Sequence, residues 1–223
     1  MCVNWLHERV VCLQTCGWAS TTSMLLVRMN AKELSDLAKK GHVEEILAQL
    51  FSGAPFAFSG KPAEYPKFCQ QIATGLKCEP ANVVVVGSGR FGFSMAPHKF
   101  GRPFHNRSDI DVVIVDPIFF DTAWLELIRY DVRSLTFDND VQQSLREHRS
   151  NNVFWGYIEP YNLKTALSMY REGWFPMIAR LGFFRATAGR SVKARVYRTW
   201  EHAKNYHRYG IRLLSAAKKT GDE

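Results

Sequence analysis

Two aspartates with the spacing of a β-strand are the residues of this chain best suited to chemistry. Asp109 and Asp111 stand at the start of an apolar, β-branched stretch that runs to Asp116. Because side chains alternate along a strand, both carboxylates point to the same side. Two neighbouring carboxylates repel each other unless a cation lies between them, and hard oxygen ligands of this kind suit Mg²⁺. The pair therefore predicts a metal site.

A glycine-serine turn supplies the second part of the candidate site. Gly87 and Ser88 follow a short run of valines, Val83–Val86. If this strand and the strand over 109–116 are antiparallel neighbours, the end of the first lies beside the start of the second. The turn can offer backbone N–H groups and the Ser88 hydroxyl to phosphate oxygens. A phosphate cradle beside a metal site is what phosphoryl or nucleotidyl transfer requires.

The same residues also have ordinary structural explanations. The glycines can serve only a tight turn, since glycine adopts positive φ readily. Asp109 can be a turn residue, and Asp111 can pair with Arg107 or Arg90. Against these explanations, an aspartate between apolar neighbours in a buried strand is costly unless it is paired or bound to a metal.

A dinucleotide-binding interpretation competes for the glycines, because Gly87–Gly92 matches the pattern G-x-G-x-x-G. That fold requires a helix of several turns after the glycines and then a parallel strand with an acid at its carboxyl end. Pro97 and Pro103 interrupt any such helix, and Asp109 and Asp111 stand at the beginning of the next strand. The pattern therefore favours the antiparallel arrangement.

The combination of Gly87-Ser88 with the segment 108–112, Ser-Asp-Ile-Asp-Val, resembles the signature of the DNA polymerase β-like nucleotidyltransferase superfamily, in particular a minimal bacterial branch. The resemblance implies an α+β fold, with a small mixed or antiparallel sheet and helices packed on one side. It implies that Asp109 and Asp111 bind Mg²⁺ and that Gly87 and Ser88 hold a nucleoside triphosphate. The expected activity is transfer of a nucleoside monophosphate to a hydroxyl group on RNA, a small molecule or a protein.

The sequence departs from that family pattern at the third carboxylate, which members take from a later strand. The candidate strand over 191–198 contains no acid, Asp116 has the opposite parity to Asp111, and Glu159 is the remaining possibility. On the same strand, Arg195 and Arg198 can grip a triphosphate or can be ordinary edge-strand charges. The alternative function is therefore a degenerate relative that binds nucleotide or RNA without catalysis, in a toxin–antitoxin or defence system.

Composition and charge limit the class of protein. The chain is 46% hydrophobic, and no apolar run approaches the length of roughly 20 residues that a membrane span needs. Five cysteines without regular spacing favour a reducing cytoplasm over a disulfide scaffold, although Cys12 and Cys16 have a spacing that metal ligands sometimes show. Ten Lys or Arg lie between Arg185 and Lys219 against one acid, Glu201, which suits a phosphate-rich partner or a solvated helix face.

Periodicity and punctuation predict the surrounding elements. Residues 1–28 lack a clear period and are interpreted as an extension ahead of a native start at Met29, with 29–223 as one domain. Asn30 and Glu33 form a capping-box pattern, and Gly41 breaks the helix that follows. Further helices are expected over 63–77, 121–132, 138–149, 161–182 with a kink near Pro176, and 200–214, and an edge strand over 192–198. The aromatics of 154–184 can form a base-stacking wall or belong to the core.

Overall fold

The structure, a computed structural model, describes residues 29–133, 139–160 and 174–216. These residues form an α+β fold, as predicted, with a mixed four-stranded sheet. The strands are β1 (Val83–Val86), β2 (Ile110–Val115), β3 (Tyr157–Ile158) and β4 (Val192–Tyr197). The helices are α1 (Ala31–Lys39), α2 (Val43–Phe51), α3 (Glu64–Leu76), α4 (Gly87–Phe91), α5 (Pro117–Arg133), α6 (Asn139–Glu147), α7 (Phe175–Gly182) and α8 (Trp200–Ala216).

Strand order in the sheet is β1-β2-β4-β3. β1 runs antiparallel to β2, as the sequence predicted, and β4 runs parallel to β2 and antiparallel to β3. β4 is therefore an inner strand, and the expectation of an edge strand over 192–198 is wrong. The alternation that suggested an edge arises because one face of β4 packs in the core while Lys193 and Arg195 share the other face with Asp111.

Helices cover both faces of the sheet, which differs from the expected single layer. One face carries Val85, Val112 and Ala194 against α3, α5 and α7. The other face carries Val86, Val113 and Tyr197 against α1, α2 and α8. Because β-branched residues occupy consecutive positions of β1 and β2, both faces of these strands are apolar and need a helical cover.

The helices that flank the site follow their local signals. Asn30 and Glu33 form the predicted capping box, with the Asn30 side chain accepting from the Glu33 backbone N–H at 3.0 Å. Gly41, at φ +83°, separates α1 from α2. α3 and α8 lie where the periodicity predicted them. α7 begins at Phe175 with Pro176 in its first turn, a position that tolerates proline.

Several expectations concern residues outside the described ranges. They are the 1–28 extension with Cys12 and Cys16, the segment 161–173 of the expected helix 161–182, and the last residues of the basic stretch. Within the described residues, none of the helices combines the length and the apolar character that a bilayer crossing requires.

Candidate active site

The antiparallel register of β1 on β2 brings the glycine-serine turn to the two aspartates. Val86 pairs with Asp111, so the residues just beyond β1 lie beside the residues at the start of β2. Gly87 has φ +62°, and a Cβ there would lie 3.0 Å from Asp111 Oδ2. Glycine is thus required by both backbone conformation and close approach. The predicted convergence of Gly87, Ser88, Asp109 and Asp111 is present.

The dinucleotide-binding alternative is excluded by the same elements. α4 has only five residues and ends at Phe91, and the Gly92 that follows adopts a left-handed φ of +89°. The strand that follows is antiparallel to β1, whereas that fold requires a parallel strand after a longer helix. The glycines therefore shape a compact turn, although the turn contains a short helix that the sequence did not predict.

A basic cleft lies in front of the aspartates. The segment 93–108 folds back on itself, with the Ser94 N–H donating to the Arg102 carbonyl oxygen at 2.8 Å. Together with the turn it encloses a cavity of about 180 Å³. Its lining comprises Ser88, Ser94, Lys99, Arg102, Pro103, His105, Arg107, Ser108, Asp109 and Asp111. Apart from Arg107, the cations of this segment were not identified from the sequence, because a Pro/Gly-rich stretch has no period from which side-chain direction could be inferred.

Asp109 is held by residues of the β4 segment. Its Oδ2 lies 2.6 Å from Lys193 Nζ, and its Oδ1 accepts a hydrogen bond from the Ser191 hydroxyl. Partial burial opposes ionisation, but the hydrogen bonds from Lys193 and Ser191 outweigh it and hold the pKa of Asp109 below its ordinary value. Asp109 is therefore an anion with a cation already beside it.

Asp111 has a different environment. Burial raises the pKa of Asp111, and the neighbouring charge of Asp109 adds to this while Arg195 opposes it. Among the described residues, no side chain pairs directly with its carboxylate. The alternative pairing with Arg90 is absent, since that guanidinium donates to the carbonyl oxygens of Gln49 and Ala54 at 2.7 and 2.8 Å. A partly buried, unpaired carboxylate is the kind of group that a bound cation stabilises.

No third acid joins this pair in the described part of the chain, where no cluster of three metal-ligating side chains occurs. Asp116 caps α5 by accepting from the Phe119 N–H at 2.9 Å. Glu159 pairs with Arg195 at 3.3 Å, and Arg198 pairs with Asp121 at 3.0 Å. On the sheet face of Asp111, the neighbouring positions of β4 carry cations, Lys193 and Arg195, rather than a third acid.

Behind Asp111, Arg195 borders a small polar cavity of about 40 Å³. Its guanidinium carbon lies 5.7 Å from the ring centroid of Tyr157 and 5.4 Å from that of Tyr206, which fixes its orientation. The Arg195 Nε, the Tyr197 hydroxyl and His207 Nε2 line this region and have no hydrogen-bond partner among the described residues. Burial lowers the pKa of His207 to about 3, so its imidazole is neutral.

The donor set fits one Mg²⁺ ion in part. Asp109 and Asp111 provide oxygen ligands of the right type at the right spacing, and Asp111 has no competing partner in the described structure. Lys193, however, already neutralises one oxygen of Asp109. The two carboxylates can therefore hold a single ion only if Asp109 shares its charge with Lys193.

Comparisons with protein families, with curated proteins and with solved structures find no match to this chain.

The described aromatics of 154–184 do not form one stacking surface. Tyr157 packs with Tyr197, and Trp174 packs with Phe119, both inside the core. Phe154 and Phe183 are exposed at separate places, on different elements. Most of these rings therefore stabilise the fold, as the alternative explanation held.

A second, wider cavity of about 690 Å³ also borders Asp109. Its lining is largely apolar and includes Trp174, Ile178 and Phe183, with Lys193 at the side of the aspartate. Asp109 thus lies between a basic cleft and an apolar cavity.

Proposed function

We propose that the chain is an Mg²⁺-dependent nucleotidyltransferase that binds a nucleoside triphosphate and transfers a nucleoside monophosphate to a hydroxyl group. The observation that supports this best is the register of β1 on β2, which places Ser88, Asp109 and Asp111 in one basic cleft. The same residues carry the motif that resembles the DNA polymerase β-like superfamily.

The residues of the cleft have distinct roles in this proposal. Lys99 and Arg102 attract the triphosphate, and the Ser88 hydroxyl donates a hydrogen bond to a phosphate oxygen. Asp109 and Asp111 would hold Mg²⁺. When bound, the ion would neutralise charge on the transferred phosphoryl group and on the departing pyrophosphate.

The two cavities suggest how the two substrates are separated. A triphosphate fits the charge of the basic cleft, whereas the apolar cavity suits the less charged part of an acceptor. Because Asp109 borders both, the two substrates would meet at the aspartates. The acceptor can be RNA, a protein or a small molecule with an apolar portion beside its hydroxyl group.

The test is an assay for pyrophosphate release and label transfer with Mg²⁺ and each of the four labelled nucleoside triphosphates, with RNA and with the protein itself as acceptors. We expect Asp111→Asn to lower the rate by about a hundredfold or more, the range seen when a group that stabilises transition-state charge is removed. The control is Asp121→Asn, which loses a carboxylate paired with Arg198 outside the cleft and should retain activity. Equal rates for the wild type and Asp111→Asn would refute catalysis at this site.

A second candidate is a binding module without catalysis, within a toxin–antitoxin or defence assembly. It is favoured by the ammonium group of Lys193 on Asp109 and by the absence of a third acid from the described residues. In that case the nucleotide binds, but no pyrophosphate is released with any acceptor. The same assay, combined with a binding measurement, separates the two candidates.

A further inference from the structure

The β4 strand carries cations where the site needs counter-charge. In the parallel pairing of β2 with β4, Asp111 lies opposite Lys193 and Val113 lies opposite Arg195. Val192 and Ala194 are buried in the core on the other face, so the parity of the strand is fixed. The backbone therefore determines that Lys193 and Arg195 share the sheet face of Asp111.

Lys193 is in direct contact with one of the two aspartates. Its Nζ lies 2.6 Å from Asp109 Oδ2, and both side chains are partly exposed, at 48% and 35%. Asp109 lines the basic cleft, whereas Lys193 borders the wider apolar cavity on the other side of Asp109. Lys193 therefore neutralises the charge that Asp109 presents to the cleft.

The charge balance of the site is positive before any metal is added. Five cationic side chains surround the two aspartates: Lys99, Arg102, Arg107, Lys193 and Arg195. Glu159 offsets Arg195, and the cations still outnumber the acids. A site of acids alone repels a polyphosphate until a metal ion neutralises it, whereas this site attracts one directly.

We infer that Lys193 is a built-in counter-cation: it neutralises Asp109, so that the cations of the cleft bind the polyphosphate chain of a nucleotide without a divalent metal. This inference rests on the proposed nucleotide site and adds a separate claim about how that site is neutralised. Lys193 keeps Asp109 from repelling the incoming phosphates, and the inner strand that carries Lys193 fixes it beside Asp109. Any role of Mg²⁺ is then confined to the transfer step.

The experiment measures binding of inorganic tripolyphosphate to the full chain by isothermal titration calorimetry, in EDTA and in Mg²⁺. Tripolyphosphate has no base, so the result does not depend on which nucleotide is the substrate. We expect the wild-type dissociation constant in EDTA to stay within about threefold of its value in Mg²⁺. Lys193→Met should weaken binding in EDTA by about tenfold, because the carboxylate of Asp109 is then uncompensated and repels the phosphates.

Two further variants make the result specific. Lys193→Arg keeps the charge and should retain metal-free binding. Lys67→Met removes a lysine that pairs with Glu64 at 2.9 Å on an exposed part of α3, and should bind as the wild type does. Thermal unfolding of each variant shows whether any loss of binding comes from loss of the fold.

The outcomes separate this inference from the proposed function. Wild-type binding that EDTA abolishes and Mg²⁺ restores would overturn the role of Lys193 and leave the nucleotide site standing. Metal-free binding that Lys193→Met leaves unchanged would also overturn it. If neither tripolyphosphate nor any nucleoside triphosphate binds in either buffer, the nucleotide site itself is refuted.

Discussion

The site has two halves that differ in origin and in charge. The β1–β2 half provides the turn at Gly87-Ser88 and the aspartates, all within one short stretch of chain. The β4–β3 half provides Lys193, Arg195 and Glu159 from a distant part of the sequence. The first half carries the recognisable motif, whereas the charged side chains of the second half determine the electrostatic potential at the aspartates. A motif can therefore indicate which residues converge in a candidate site without revealing the charges that surround them.

The largest effect on stability is expected from substitution of two glycines with positive φ, Gly87 in the β1–β2 half and Gly156 beside β3 in the other half. A Cβ at Gly156, which has φ +72° and immediately precedes β3, would lie 2.0 Å from the His202 ring. Backbone strain of about 1–2 kcal/mol and overpacking of about 1–3 kcal/mol should make Gly156→Ala lose about 3 kcal/mol of unfolding free energy. Gly87→Ala should lose only about 1–2 kcal/mol, from strain alone, but should impair tripolyphosphate binding by displacing Asp111.

Urea unfolding and calorimetric binding measure both quantities for each glycine variant. If Gly156→Ala proves as stable as the wild type, the packing of His202 against the start of β3 is not as rigid as its hydrogen bond with Thr199 indicates. If Gly87→Ala binds normally, the close approach of the turn to Asp111 has no role in the site.

A smaller and opposite pair of effects is expected for the two aspartates. The pKa of Asp109 is lowered in the folded chain, so its ionised form stabilises the fold above the ordinary value of 3.8, and this stability is lost as pH falls through the folded pKa. The pKa of Asp111 is raised, so its protonated form favours the fold below 3.8, and that advantage is lost as pH rises through the folded pKa.

In EDTA at neutral pH, Asp109→Asn should therefore destabilise the fold and Asp111→Asn should stabilise it. The Asp111→Asn difference should shrink first, as the pH falls from the raised pKa of Asp111 to 3.8. The Asp109→Asn difference should shrink only below 3.8, as the pH falls through the lowered pKa of Asp109. Urea unfolding across this pH range is the measurement. Effects of the same sign for both variants at neutral pH would show that the environments of the two aspartates do not differ in this way.

The smallest effect is expected at the polar cavity of the β4–β3 half. The Tyr197 hydroxyl has no hydrogen-bond partner among the described residues, so Tyr197→Phe should change the unfolding free energy by less than about 0.5 kcal/mol. The matched control is Tyr157→Phe, which loses a hydrogen bond to Asn152 of 3.0 Å and should cost about 1 kcal/mol. A larger loss at Tyr197 than at Tyr157 would show that the Tyr197 hydroxyl has a partner that stabilises the fold.

The sequence predicted those parts of the molecule whose signals are local. The capping box at Asn30, the break at Gly41 and the strand over 83–86 each depend on neighbouring residues alone. The convergence of the turn with Asp109 and Asp111 needed only one further assumption, the antiparallel pairing of two consecutive strands.

The sequence could not place β4, because strand order depends on packing across the whole sheet. The alternating charges of Lys193 and Arg195 suggested a solvent-exposed edge strand. These side chains instead belong to an inner strand and lie on the sheet face of Asp111. The second helical layer was missed for a related reason, since a run of valines indicates burial without showing what covers each face.

The parallel pairing of β2 with β4 also determines when the site can be completed during synthesis. The turn, β1 and β2 lie within one short stretch and can associate as soon as it has left the ribosome. Ser191 and Lys193 follow Asp109 by about eighty residues, and non-local contacts of this kind form slowly because a long loop must close first. A nascent chain that ends before β4 therefore contains the glycine-serine turn and both aspartates, but it lacks the lysine that pairs with Asp109.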